Sequence, residues 1–229
     1  MPFEADTAMG GAGRRFPSTR RSLIRAAGGG GAAAREALDA VIAVYWKPLY
    51  KYIRVKWNRG NEDAKDLVQG FFAALLQQDL LAKFDPSVAS FRTYLRACAD
   101  RFVMKQDESA GRLKRGGGVD LVTLDFDSAE RELALAGRAE SPEDLFHREW
   151  QRQIFSLAID DLREACAAAG KDREFRIFEQ YDLAETERPR YEDLAREHGV
   201  PVTGVTNALA WARRELRRFA RQRAGAVLD

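Results

Sequence analysis

Apolar residues return at three- and four-residue spacing through most of the chain, the period of one helix face. Leu38, Val41, Ile42, Tyr45, Leu49, Tyr52 and Ile53 form one such stripe and predict a helix from about Ala33 to Trp57. Pro48 lies inside it and predicts a kink or a restart, because proline brings no N–H to the helix ladder. The run "NRGN", residues 58–61, interrupts the pattern. A second helix follows to about Gln78, with Asn61 as its N-cap and Leu67, Val68, Phe71, Phe72 and Leu75 on its core face. The stretch "KFDPSVAS", residues 83–90, reads as a loop whose final serine caps a third helix. That helix runs from Phe91 to about Lys105 and buries Phe91, Leu95, Cys98, Phe102 and Val103.

Beyond Lys105 the pattern weakens. Three consecutive glycines in "KRGGG", residues 114–118, are costly in a helix or strand and mark a boundary. "VDLVTLDF", residues 119–126, alternates weakly and predicts at most a short extended segment. The stretch to Glu140 then reads as a linker. "SPED", Ser141 to Asp144, is a helix start, with a Ser cap, Pro in the first turn and two acids at the positive end of the dipole. Leu145, Phe146, Trp150, Ile154, Leu157, Ala158 and Leu162 carry that helix onward, and a short helix around Phe175 to Tyr181 follows.

The last periodic stretch is the most specific. Tyr191 to His198 forms two helical turns that bury Leu194 and Ala195. Gly199 stands where a helix stop needs positive φ, and Val200 and Pro201 make the turn. A second helix starts near Val202 and buries Val205, Leu209, Ala212 and Leu216. This is helix-turn-helix spacing. Thr203, Gly204, Thr206 and Asn207 occupy the exposed start of the second helix, small enough to enter a DNA major groove. Arg213, Arg214, Arg217 and Arg218 follow one or two turns later, where phosphates would lie. A packed helix pair with a solvated arginine face is the plain alternative.

The pattern predicts an all-α chain of two small helical domains, residues 33–113 and 141–229. A flexible tail, residues 1–32, precedes them, and an acidic flexible linker, residues 114–140, joins them. Charge sharpens this division. The chain has 229 residues and a net charge of only +2. Residues 92–115 hold seven Lys/Arg against three Asp/Glu, residues 119–144 two against eight, and residues 201–223 six against one. Two basic zones around an acidic connector suggest two surfaces for a polyanion.

Other chemistry is scarce. Cys98 and Cys166 stand far apart at apolar helical positions and read as buried free thiols, which fits a reducing compartment. His147 and His198 are isolated, so neither a metal site nor a cofactor is expected. "GGGG", residues 28–31, lacks the GK[ST] of a phosphate loop and the frame of a dinucleotide site. No paired carboxylates imply a pocket, so an enzyme is not expected. No apolar run approaches the ~20 residues of a membrane span, and the Arg-rich N-terminus has no apolar signal core. A cytoplasmic protein with no membrane partner is expected.

The second helix poses a question. Asp63, Asp66 and Gln69 recur at three-residue spacing and make an acidic stripe beside the core face. A solvated face usually mixes signs. "DAKDLVQGFFAALL" with "FDPSVASFRTYLRACADRF" resembles the second conserved region of extracytoplasmic-function sigma factors, the promoter-recognising subunits of bacterial RNA polymerase. "SPEDLF", "REW", "LAIDDL" and "YEDLAREHGVPVTGVTNALAWARRELRR" resemble their fourth region, in the right order. The resemblance covers about residues 36–223, and "FPSTR", "KRGGG" and "LDFD" are similar to a bacterial subgroup.

The resemblance implies that Asp63, Asp66 and Gln69 dock on a basic coiled coil of the largest subunit of core RNA polymerase. It implies that the first domain holds the non-template strand of the upstream (−10) element of promoter DNA. Arg92, Tyr94, Arg96, Arg101 and Lys105 are the candidates there, cations for the backbone and an aromatic for stacking. Thr203, Thr206, Asn207, Arg213, Arg214 and Arg217 would meet the distal (−35) element. An anti-sigma factor or other protein regulator is a further implied partner. The chain departs from the family at Tyr94, where Trp is usual, at Arg101, where Asn is usual, and at Trp211, where Arg is usual. The family's downstream Asp-x-x-Arg is not recognisable in "VMKQDESAGR". Two alternatives follow: a helix-turn-helix regulator that acts without polymerase, and a sigma-like protein that only occupies partners.

Overall fold

The computed structural model describes residues 32–77, 80–81, 83–110, 124–135, 141–184 and 187–227. The expected tail up to residue 31, the triple glycine at 116–118 and most of the weakly alternating segment lie outside them. Among the described residues there are eight helices and no strand: α1 (Ala32–Lys56), α2 (Asn61–Gln77), α3 (Phe91–Ala110), α4 (Phe126–Leu135), α5 (Pro142–Ala168), α6 (Asp172–Asp182), α7 (Tyr191–His198) and α8 (Val202–Val227). The all-α expectation holds.

The expected apolar stripes become two cores. In the first, α1 lies between α2, α3, α4 and the first half of α5. Tyr45 meets Phe91 edge-on at 5.7 Å between centroids and stacks on Phe146 at 6.3 Å. α1 runs through Pro48 without a break. Tyr45 and Leu49, buried on either side, hold it there, and this packing outweighs the ~3 kcal/mol of a helix proline. The second core gathers the rest of α5 with α6, α7 and α8 around Leu162, Phe178, Leu194 and Leu209.

Two expectations need correction. α5 does not belong wholly to the C-terminal half. Phe146, Trp150 and Ile154 sit in the first core, and Ala158, Leu162 and Cys166 in the second. One apolar stripe runs the length of the helix, and periodicity gives no sign of which core each turn meets. The start itself is as expected, since Ser141 Oγ accepts from the Asp144 amide at 3.1 Å and Pro142 opens the helix.

The second correction concerns the linker. Part of it is the packed helix α4. Asp125 caps it by accepting from the Ser128 amide at 3.0 Å. Phe126 inserts against the rings of Trp46 and Tyr50, at 5.3 and 5.2 Å between centroids. Its acids then meet the basic stripe of α1. Glu130 accepts from Arg54 and from the Tyr50 hydroxyl. Glu132 accepts from Lys47 at 2.6 Å and from Lys51 at 2.7 Å. Lys51 also pairs with Glu149 of α5, and both side chains are 1% exposed. The acidity that looked like linker composition is therefore complementary to α1.

Candidate functional site

Two exposed faces stand out, one on α2 and one on α8. On α2, Ala64 and Val68 are buried, while Asp63, Asp66 and Gln69 are exposed on the other side. Lys65 is the only basic residue of this helix. It is drawn to Glu62 at 2.9 Å and to Asp127 of α4 at 3.5 Å. The stripe therefore stays acidic because the one cation of its helix is held toward α4. Such a face suits a basic surface.

The second face is built on a helix-turn-helix. Gly199 ends α7 with φ 63° and ψ 36°, a left-handed conformation that favours glycine. The Val200 amide donates back to the Ala195 carbonyl at 3.0 Å, which closes the turn. Val205 and Leu209 are buried against Leu194, so the opposite side of α8 faces outward. Thr203, Thr206 and Asn207 are exposed there. Thr206 Oγ1 donates to the Thr203 carbonyl at 2.9 Å. Its remaining lone pairs and its methyl group stay available to a base edge. Gly204 faces the turn, not the groove side. A Cβ there would lie 3.2 Å from Val200 Cβ, so its smallness serves packing.

The arginines divide. Arg214 and Arg217 are exposed. Arg214 is 66% exposed, with Glu215 3.9 Å away. Arg213 is already engaged. Its Nε and Nη2 donate to the two carboxylate oxygens of Asp182, at 2.7 and 2.9 Å. These hydrogen bonds also hold its guanidinium above its ordinary pKa. Arg218 donates to Glu215 at 2.8 Å, on the same helix.

The single-strand candidates are not brought together as a set. The Tyr94 hydroxyl donates to the Leu80 carbonyl at 2.6 Å, and its ring packs on Phe84 at 5.4 Å between centroids. Burial first, then the neighbouring Cys98, pushes its phenol pKa up. It is a core residue more than a stacking platform. Arg92 lies 4.9 Å from the Trp150 ring, and Arg96 lies 5.9 Å from Tyr52 and 6.0 Å from Phe146. Both cations thus face aromatic rings of α1 and α5. Arg101 and Lys105 remain exposed farther along α3.

Several participants were not legible in the sequence. Asp182 is one, because only the fold sets it opposite Arg213. Lys171 is another: its Nζ lies 4.0 Å from the centroid of Trp211. Lys171 and Trp211 line a cleft of about 270 Å³ that also includes Arg173, Glu174 and Asn207. Among the described residues, no group of three or more His, Cys, Asp or Glu is placed to hold a metal ion. Both cysteines are buried thiols, and burial pushes Cys166 up to about 11. None of the helices is long and apolar enough to cross a membrane, among the described residues.

Compared with family models, curated proteins and solved structures, the chain matches none.

Proposed function

We propose that this protein is a sigma factor of the extracytoplasmic-function type. It binds core RNA polymerase through Asp63, Asp66 and Gln69, directs it to promoters, and reads their distal element with α8. The observation that carries this proposal is the pairing on one chain of two faces with different chemistry. One is an acidic helical stripe whose helix has a single cation, held away from it. The other is a helix-turn-helix whose second helix leads with Thr203, Thr206 and Asn207 and continues into exposed arginines. A DNA-binding module alone has no use for the first face. The proposed factor carries no catalysis of its own. Opening of the upstream element falls to Arg101 and Lys105 first, since Arg92, Tyr94 and Arg96 have internal partners.

That last fact favours a second reading, a helix-turn-helix regulator that acts without polymerase. Run-off transcription separates them. Core polymerase with this chain is offered a promoter library selected by binding to the chain. Transcripts that start at a fixed distance from the selected element support the sigma function. Specific duplex binding with no transcript, and no association with core polymerase, supports the regulator instead.

A further inference from the structure

The cleft beside Asn207 adjoins the face just described, and Lys171 and Arg173 bring two cations to it against one acid, Glu174. Thr203, Asn207 and Trp211 follow one another at four-residue spacing, so the half-buried ring lies beside the groove-facing side chains, on the flank of α8 turned toward α6. From Asn207 to Trp211 is about 6 Å of helix axis. Lys171 arrives from a different part of the chain. α5 ends in a turn at Gly170, φ +65°, and the Lys171 amide donates to the Cys166 carbonyl at 2.8 Å. That turn fixes the backbone of Lys171 at the entry to α6. From there its ammonium reaches the Trp211 ring, 4.0 Å from the centroid. Arg173, at the start of α6, is exposed on the same cleft, and Glu174 is the one acid among the residues that line it.

We infer that Lys171 and Arg173 form a second phosphate-binding edge of the DNA-reading surface, with Trp211 as the platform that positions the Lys171 ammonium. The inference rests on the proposed DNA reading by α8. A duplex whose bases meet Thr206 and Asn207 brings its flanking backbone past the third turn of α8, where this cleft opens. Trp211 itself carries no charge, so the edge needs a cation from elsewhere, and Lys171 supplies it. A cation over an indole face keeps its remaining N–H groups directed outward. Two cations against one carboxylate leave the cleft net positive, as a phosphate requires.

The full chain is titrated with a duplex carrying the selected distal element and with a scrambled duplex, over a range of salt. The wild type is compared with Lys171→Met, Lys171→Arg, and Lys171→Met combined with Trp211→Arg. Met keeps the apolar stem over the ring and removes the charge. The expected result is that Lys171→Met lowers the slope of log affinity against log salt by about one. It weakens both duplexes alike, by about tenfold at low salt. Lys171→Arg keeps the wild-type slope, and Trp211→Arg restores it in the Met background. A purely structural role for Lys171 would shift the melting temperature and leave the slope unchanged. A wild-type slope in Lys171→Met, with wild-type binding intact, overturns the phosphate edge alone. A wild-type chain that binds neither duplex at low salt overturns the DNA reading, and this edge with it.

Discussion

Arg213 and Asp182 face each other as a bidentate pair, at 2.7 and 2.9 Å, and so tie the fourth turn of α8 to the last residue of α6. The pair braces the second core from outside. Arg213 is 39% exposed, so solvent screens much of its value. Arg213→Ala is expected to destabilise the chain by about 1 kcal/mol and leave the salt dependence of DNA binding unchanged. Arg214→Ala is expected to do the reverse. Its melting temperature stays at the wild-type value and its log–log salt slope falls by about 0.9. Thermal melts and salt titrations of the two variants check both statements.

Asn207 is expected to carry sequence information. It is exposed in the second turn of α8, and its amide can pair bidentately with adenine. Asn207→Ala should cost about 1–3 kcal/mol on a selected distal element and little on scrambled DNA. Equal weakening on both duplexes would assign Asn207 to capping or packing.

The Lys51–Glu149 pair joins α1 to α5 inside the first core. Removing Glu149 takes away the buried partner of Lys51 and leaves it only Glu132, which is 41% exposed. Glu149→Ala is therefore expected to destabilise by about 2–3 kcal/mol, less than the loss of a sole partner would cost. Lys51→Met with Glu149→Leu replaces both charges by apolar groups and is expected to fall well short of that loss. Denaturant unfolding of the two variants checks this. A double variant as unstable as Glu149→Ala would show that the pair gives net stabilisation beyond mutual compensation.

Docking of α4 is expected to weaken in acid. Hydrogen bonds from Arg54 hold Glu130 below its ordinary value of 4.5. Burial opposes charge on Glu132, but hydrogen bonds from Lys47 and Lys51 outweigh it and hold that carboxyl low as well. A carboxyl with a depressed folded pKa stabilises above its unfolded pKa, and that stability is lost as pH falls through the folded value. Amide-exchange protection across residues 126–135, corrected for intrinsic rates, is expected to fall below about pH 4.5. Glu130→Gln with Glu132→Gln should show low protection at neutral pH. Protection in the wild type that persists to about pH 2 would mean that Phe126 alone holds α4.

Helix periods were legible wherever one stripe met one core. The stripes of α1 and α2 and the helix-turn-helix with its Gly199 stop appear in the structure at the expected positions. What could not be read was partnership across distance. α5 carries a single continuous stripe, so the switch from Ile154 in one core to Ala158 in the other leaves no mark on the sequence. α4 looked like linker because charge dominates it, and its charge has meaning only against Lys47, Lys51 and Arg54 some 80 residues earlier. The same limit applies to the candidate site. Exposure of Asp63, Asp66, Thr203 and Asn207 followed from helix phase. The engagement of Arg213 by Asp182 and of Tyr94 by Leu80 depended on the tertiary fold.

The acidic stripe of α2 is the feature that separates the proposed polymerase subunit from a regulator that acts on DNA alone. Asp63 and Asp66 are exposed, so reversing them leaves the first core untouched. The most direct measurement is the affinity of the purified chain for core RNA polymerase, wild type against Asp63→Arg with Asp66→Arg, with circular dichroism of both. Two reversed charges on a basic partner cost several kcal/mol, so the account predicts binding by the wild type and at least ~100-fold weaker binding by the variant at unchanged helicity. A wild type that does not bind core polymerase, or a folded variant that binds as well as the wild type, would contradict it.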